Sequence, residues 1–209
     1  MCKVIVLVGE SSSGKDTIYK ELVDTIPNLR ECVSHTTRPP RDGEIDGITY
    51  NFISDMEFAI KQINNEFIET RYYNTVNGLW KYGVCKNSID IDSNNIYIVI
   101  LDLTGLKEIE KYVGKENVTS IYIRTSPHVR YLRSLDRQSA IIDSQYSRYD
   151  FSTLDEILRR FKDDSVKFAK ATKVCDITLN NNSLKEKTLT LQLISKLVES
   201  LSKINQTIL

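Results

Sequence analysis

The stretch Gly9-Glu10-Ser11-Ser12-Ser13-Gly14-Lys15-Asp16-Thr17 holds the residue types of a phosphate cradle at the spacing such a cradle needs. It follows the apolar run Val4-Ile5-Val6-Leu7-Val8 and precedes a helix-compatible segment, so strand, turn and helix meet there. Gly9 and Gly14 allow the backbone to turn sharply and bring N–H groups close to an anion. The helix aims its positive end at the same point, and Lys15 adds a full charge for the outer phosphates. Ser11, Ser12 and Ser13 contribute the loop's remaining donors. The residue after the lysine is normally Ser or Thr, whose hydroxyl ligates magnesium; here it is Asp16, followed by Thr17. Asp16 offers a hard oxygen to a metal, directly or through water, while Thr17 offers a hydroxyl to the phosphates. The sequence leaves both assignments open.

A second basic constellation lies in the polar stretch from 35 to 50, where Arg38-Pro39-Pro40-Arg41 sets two guanidinium forks on a stiffened backbone. Planar forks held at fixed spacing suit the oxygens of a phosphate. A third lies on the segment opened by Ser126-Pro127, where Arg133 and Arg137 share a helical face.

Ser34, Thr36-Thr37-Arg38, Pro40-Arg41, Gly43-Glu44, Gly47, Tyr50 and Phe52 together resemble the guanylate kinase signature, with the phosphate loop at the expected distance upstream. Further matches fall at Glu69, Tyr82-Gly83, Asp102-x-x-Gly105, Arg133, Arg137 and Asn181. The resemblance implies an α/β P-loop kinase that uses ATP and Mg2+. It implies that Ser34, Arg38, Arg41, Tyr50, Glu69, Tyr82 and Asp102 bind the acceptor, and that Lys15, Arg133, Arg137 and Arg160 serve the transferring phosphoryl group. Glu69 would accept from the ring N–H and amino group of guanine, two adjacent donors that adenine does not present. Asp16 and Asp102 are the carboxylates offered to the metal. Two positions depart from the family pattern. Val84 stands where a hydroxyl normally donates to guanine O6, and Ile100 replaces the first of two aspartates. Loss of one neutral hydrogen bond costs about 1 kcal/mol, not the whole base preference.

The elements that must position these residues alternate in character. Ile96 to Leu101 is a near-continuous apolar run, the mark of a parallel strand buried on both faces, with Asp102 at its carboxyl end. Val118 to Ile123 and Cys175 to Leu179 read as further strands, and Glu31 to Ser34 as a short one. Helices are expected over 17–25, 104–113, after Ser126-Pro127, after capping boxes at Ser54-x-x-Glu57 and Thr153-x-x-Glu156, and after Ser183-x-x-Glu186. Asn74 to Lys81 reads as a turn. The expected fold is a doubly wound parallel sheet, with core segments 1–34 and 89–209, an acceptor-binding insertion over 35–88 and a lid over about 137–153.

The chain has 209 residues, enough for one well-buried domain, and its 28 basic side chains balance its 28 acidic ones. That balance argues against bulk nucleic-acid or membrane-surface binding. Cys2, Cys32, Cys85 and Cys175 are scattered without a C-x-x-C pair, which reads as reduced thiols. The longest apolar run is too short to span a bilayer, and the N-terminal run reads as a strand rather than a leader. The expectation is a cytoplasmic enzyme, monomer or homodimer, with nucleotides as its partners. It would phosphorylate GMP or dGMP. A kinase of the same fold with another acceptor, and a non-catalytic binding module, are the alternatives.

Overall fold

A computed structural model of the chain describes residues 2–41, 43–75, 78–142 and 151–207. Its core is a five-stranded parallel sheet in the order β2-β7-β1-β8-β9, with β1 at Lys3–Val8, β2 at Leu29–Glu31, β7 at Ile96–Leu101, β8 at Val118–Arg124 and β9 at Ile177–Asn180. Period-two alternation within the apolar runs supplies both faces. Ile5 and Leu7 point to one side, where Ile18 and Leu22 of helix α1 (Lys15–Thr25) and Ile194 and Val198 of α7 (Leu184–Thr207) complete the layer. Val4, Val6 and Val8 point to the other, against Leu106, Ile109 and Val113 of α3 (Leu103–Val113) and Ala171 of α6 (Ala171–Val174). Each such aliphatic side chain, fully withdrawn from water, contributes about 1.5–3 kcal/mol, so the central strands fix the sheet before any polar contact is counted.

Strand β1 lies in the middle, with β7 and β2 to one side and β8 and β9 to the other. Ligands bind in open α/β sheets at such a reversal, beyond the carboxyl ends of the strands. The phosphate loop after β1, Asp102 after β7, Thr125 after β8 and Asn181 after β9 all emerge at that edge.

A second sheet, order β4-β3-β6-β5, comprises β3 at His35–Thr36, β4 at Asn51–Phe52, β5 at Phe67–Thr75 and β6 at Gly78–Cys85. Helix α2 (Asp55–Ile63) packs on it through Phe58, which stacks on Phe67 at 4.6 Å. The Ser54/Glu57 capping box expected at its start is formed in full. The sheet leans on α3 at Gly105, where an added Cβ would stand 3.2 Å from Glu69 Oε2. Helices α4 (Pro127–Ile142) and α5 (Phe151–Lys167) complete the chain.

Several local expectations need correction. Asn74 to Lys81 is not a turn: β5 runs through Thr75 and β6 begins at Gly78, so Leu79, Trp80 and Lys81 are paired strand residues. The short strand ends at Glu31 rather than starting there. Thr153 lies inside α5, which starts at Phe151, and Glu156 instead pairs with Arg159 and Arg160. Leu158 of that helix is exposed rather than part of its buried stripe. Of the lid expected over about 137–153, residues 143–150 lie outside the described residues, while 137–142 belong to α4 and 151–153 to α5. All four cysteines are buried free thiols. Among the described residues no helix is long and apolar enough to cross a membrane.

Candidate active site

The loop after β1 takes its shape from two left-handed residues, Gly14 at φ 85° and Ser12 at φ 59°. Ser12 pays a steric penalty that the surroundings must hold in place, and its hydroxyl meets that of Ser134 at 2.8 Å. Gly14 has no alternative: a Cβ there would lie 2.5 Å from Asn181 Nδ2. The Ser13 carbonyl is the anchor. It accepts from Asn181 Nδ2 at 2.8 Å, Thr125 Oγ1 at 2.9 Å and Arg133 Nη1 at 3.1 Å. Arg133 Nη2 donates to the Asn181 carbonyl at 2.9 Å. Helix α1 begins at Gly14 with no side-chain cap, so its first N–H groups have no side-chain acceptor of their own. Lys15 Nζ lies 3.5 Å from both the Glu10 carbonyl and Asp16 Oδ2, contacts at the long limit for a hydrogen bond.

A buried ionic network braces the same loop from outside. Arg130 of α4 donates through Nη2 to Asp164 Oδ2 of α5 at 2.7 Å, through Nη1 to Glu10 Oε1 at 3.3 Å and through Nε to the Ser11 carbonyl at 2.9 Å. Asp164 Oδ2 also accepts from the Ser11 N–H at 2.8 Å, and the Tyr122 hydroxyl donates to Glu10 Oε2 at 2.9 Å. The Arg130 guanidinium stacks 4.5 Å from the Phe161 ring centre. Glu10 and Ser11 are thereby tied to two helices that lie far away in sequence. Glu10 lies in the loop read from sequence, but its partnership with Arg130 and Asp164 is visible only in the fold.

Asp16 projects from the first turn of α1 with its side chain 65% exposed. Lys15 first, and Arg137 next, hold its carboxyl below the usual range despite burial acting in the opposite sense. An ionised, accessible carboxylate beside the cradle suits magnesium, which takes one or two carboxylates and fills its other positions with water and phosphate oxygens. Asp102 is already engaged on both oxygens. Its Oδ1 caps α3 by accepting from the N–H groups of Thr104 and Gly105, and its Oδ2 accepts from the Tyr73 hydroxyl at 3.1 Å. No group of three or more candidate ligands converges among the described residues.

Across the cleft stands the second sheet's polar face. Arg38 is buried, and Glu44 grips its guanidinium with both oxygens at 2.7 and 2.8 Å. Its Nε donates to the Tyr82 hydroxyl at 3.1 Å, and it lies 5.2 Å from the Tyr50 ring centre. Burial and then the Asp16 charge push the Tyr50 hydroxyl up to about 12. Arg41 is exposed yet crowded: desolvation, then the like charges of Arg38 and Arg160, lowers its pKa. Convergent cations from two elements are what an anion site requires. Arg160 Nε rests on Glu156 Oε1 at 2.8 Å, and Arg159 shares that carboxylate. Ser34 is buried beside β3, with its carbonyl accepting from the Asn51 N–H.

Deeper in the same face, Glu69 is 3% exposed and receives Arg71 Nε at 2.9 Å on Oε2, while its Oε1 is buried with no hydrogen-bond partner. Burial raises the Glu69 pKa and Arg71 opposes that rise. Tyr73 and Tyr82 meet edge to face at 5.5 Å, and Lys167 of α5 reaches over to the Tyr73 ring at 4.1 Å. Val84, opposite Glu69 on the ladder, is fully buried. Arg71, Tyr73 and Glu44 were not singled out from sequence as site residues.

A guanylate kinase family model matches residues 1–197 of the 209. The chain belongs to the guanylate kinase family. Guanylate kinase of Helicobacter hepaticus is 33% identical over 124 residues, an alignment that takes in 58% of this chain and 60% of the relative. Guanylate kinase of Mesoplasma florum is 34% identical over 85% of this chain and 60% of its own length. Guanylate kinase of Sulfurimonas denitrificans is 28% identical over 92% of this chain and 86% of its own. A crystal structure of guanylate kinase from Anaplasma phagocytophilum superposes with a TM-score of 0.65 at 23% identity, covering 95% of this chain and 85% of that one. That likeness establishes the α/β P-loop kinase fold.

Proposed function

We propose that this protein transfers the γ-phosphoryl group of ATP to GMP or dGMP. The observations that carry the reading are a braced phosphate loop and a buried carboxylate that has one oxygen unclaimed. Glu69 Oε1 costs about 1–3 kcal/mol to bury unpaired, which a guanine donor would repay. In this reading the N–H groups of the loop and Lys15 hold the triphosphate, and Arg38, Arg41 and Tyr50 hold the acceptor phosphate. Asp16 would hold magnesium, which supplies charge neutralisation between the phosphates. Arg137 and Arg160 approach the transferring group, whereas Arg133 acts through Ser13 and Asn181 by fixing the loop. Phosphoryl transfer asks for in-line positioning and positive charge rather than covalent help, and these groups supply both. Closing of the second sheet and α5 on the core would exclude water and suppress ATP hydrolysis. Nucleotides are then the partners, and the cytoplasm the place of work.

Val84 and Ile100 favour a second reading, a same-fold kinase whose acceptor base is not guanine. Initial rates with ATP and a panel of GMP, dGMP, AMP, CMP, UMP and dTMP separate the two. Preference for the guanine nucleotides supports the proposal; robust turnover of another acceptor with none of GMP or dGMP rejects it.

A further inference from the structure

Guanine presents three adjacent groups on one edge: the O6 acceptor, the N1–H donor and the N2 amino donor. A protein surface that reads all three must offer a donor, an acceptor and an acceptor in that order. Glu69 supplies only the last two. The residue that ordinarily completes such a set by a neutral hydroxyl is absent here, because position 84 is an aliphatic side chain buried in the ladder.

Arg71 stands where the third group is needed. It lies two residues along β5 from Glu69, on the same face, and its Nε sits 2.9 Å from Glu69 Oε2. The carboxylate holds Nε, which places the terminal nitrogens of the same guanidinium next to the pair. The side chain is 10% exposed, against 1% for Glu69. No acceptor among the described residues takes its terminal nitrogens, although Nε is committed. Tyr82 flanks the guanidinium at 5.9 Å from its ring centre and limits its swing. Glu69, Tyr73, Asp102 and Tyr50 oppose the effect of burial and keep Arg71 charged.

We infer that Arg71 is a specificity-determining residue that donates to O6 of the acceptor guanine and, with Glu69, reads the whole edge of the base. This rests on the guanine reading given above. An arginine in this role does more than replace a hydroxyl. A charged donor to a carbonyl is stronger than a neutral one. It also penalises adenine, whose amino group at the same place would put a donor against a donor.

The test compares Arg71→Met with the unmodified chain on GMP, on 6-thio-GMP, whose sulfur is a poor acceptor at that position, and on IMP, which keeps O6 but lacks the amino group. The expected result is a loss in kcat/KM of about 10- to 100-fold on GMP and IMP alike, and at most about threefold on 6-thio-GMP. Equal losses on GMP and 6-thio-GMP would mean that Arg71 serves only to support Glu69, and would overturn the inference. Arg71→Lys keeps a buried cation should the methionine variant fail to fold. It should lose GMP over 6-thio-GMP discrimination in the same direction, and unchanged discrimination in a folded Arg71→Lys protein overturns the inference as well. Absence of GMP turnover by the unmodified chain would instead reject the underlying guanine reading.

Discussion

Replacing Arg130 by methionine tests whether the phosphate loop depends on its outer brace. Arg130 is 4% exposed and donates to Asp164, Glu10 and the Ser11 carbonyl. Methionine matches much of its length and can still pack on Phe161. It leaves the buried Asp164 and the half-buried Glu10 without the cation they share. Breaking a buried pair in this way costs about 3–5 kcal/mol, because the stranded charge cannot be hydrated. For a chain of this size each 1 kcal/mol lowers the melting temperature by about 2–4 °C, so a fall of about 6–20 °C is expected by calorimetry. The Ser11 carbonyl loses its donor at the same time, so KM for ATP should rise more than KM for the acceptor. Adding Asp164→Leu to Arg130→Met should recover part of the lost stability, since one uncompensated charge is removed. A melting temperature within about 2 °C of the unmodified protein, with ATP kinetics unchanged, would refute the coupling between brace and loop.

Glu44→Gln should loosen the bidentate hold on Arg38 and raise KM for GMP by about tenfold with a smaller change in kcat, as steady-state rates would register; an unchanged KM contradicts the role of Arg38 at the acceptor phosphate. Burial alone would raise the Glu156 carboxyl, but hydrogen bonds from Arg159 and Arg160 win and draw it down to about 2. Its folded pKa lies below the unfolded value of about 4.3, so its contribution is complete above that pH and drains away as pH falls towards about 2. Glu156→Gln should therefore lower the melting temperature at neutral pH and flatten its decline between about pH 4.5 and 2.5; parallel curves for the two proteins would contradict the assignment.

The parts of the site that were legible in sequence are those built from contiguous residues. Strand, loop and helix from Lys3 to Thr25 follow from an apolar run, two glycines and a lysine, and the stretch from Ser34 to Phe52 carries its spacing in one piece. The β5–β6 hairpin was hidden because its distal half has no apolar face to announce it: Tyr72 and Leu79 are exposed, and polar residues intervene. The pattern Thr153-x-x-Glu156 has the form of a cap, yet Thr153 lies inside α5 and Glu156 pairs with two arginines further along. The Arg130 network joins residues 34 and 120 positions apart, a pairing that only the folded sheet creates. The Glu69–Arg71 pair was two residues apart all along, but its meaning depends on both side chains sharing the buried face of one strand.

The most direct measurement is GDP formation from ATP and GMP by the unmodified chain and by Lys15→Met, followed chromatographically with magnesium present. Turnover of about 1–100 per second is expected from the first, and a loss of about 10²- to 10³-fold from the second, whose loop keeps its shape but not its charge. A folded, ATP-binding chain that leaves GMP unphosphorylated, or a Lys15→Met protein as fast as the unmodified one, would contradict the assignment of this cleft to phosphoryl transfer.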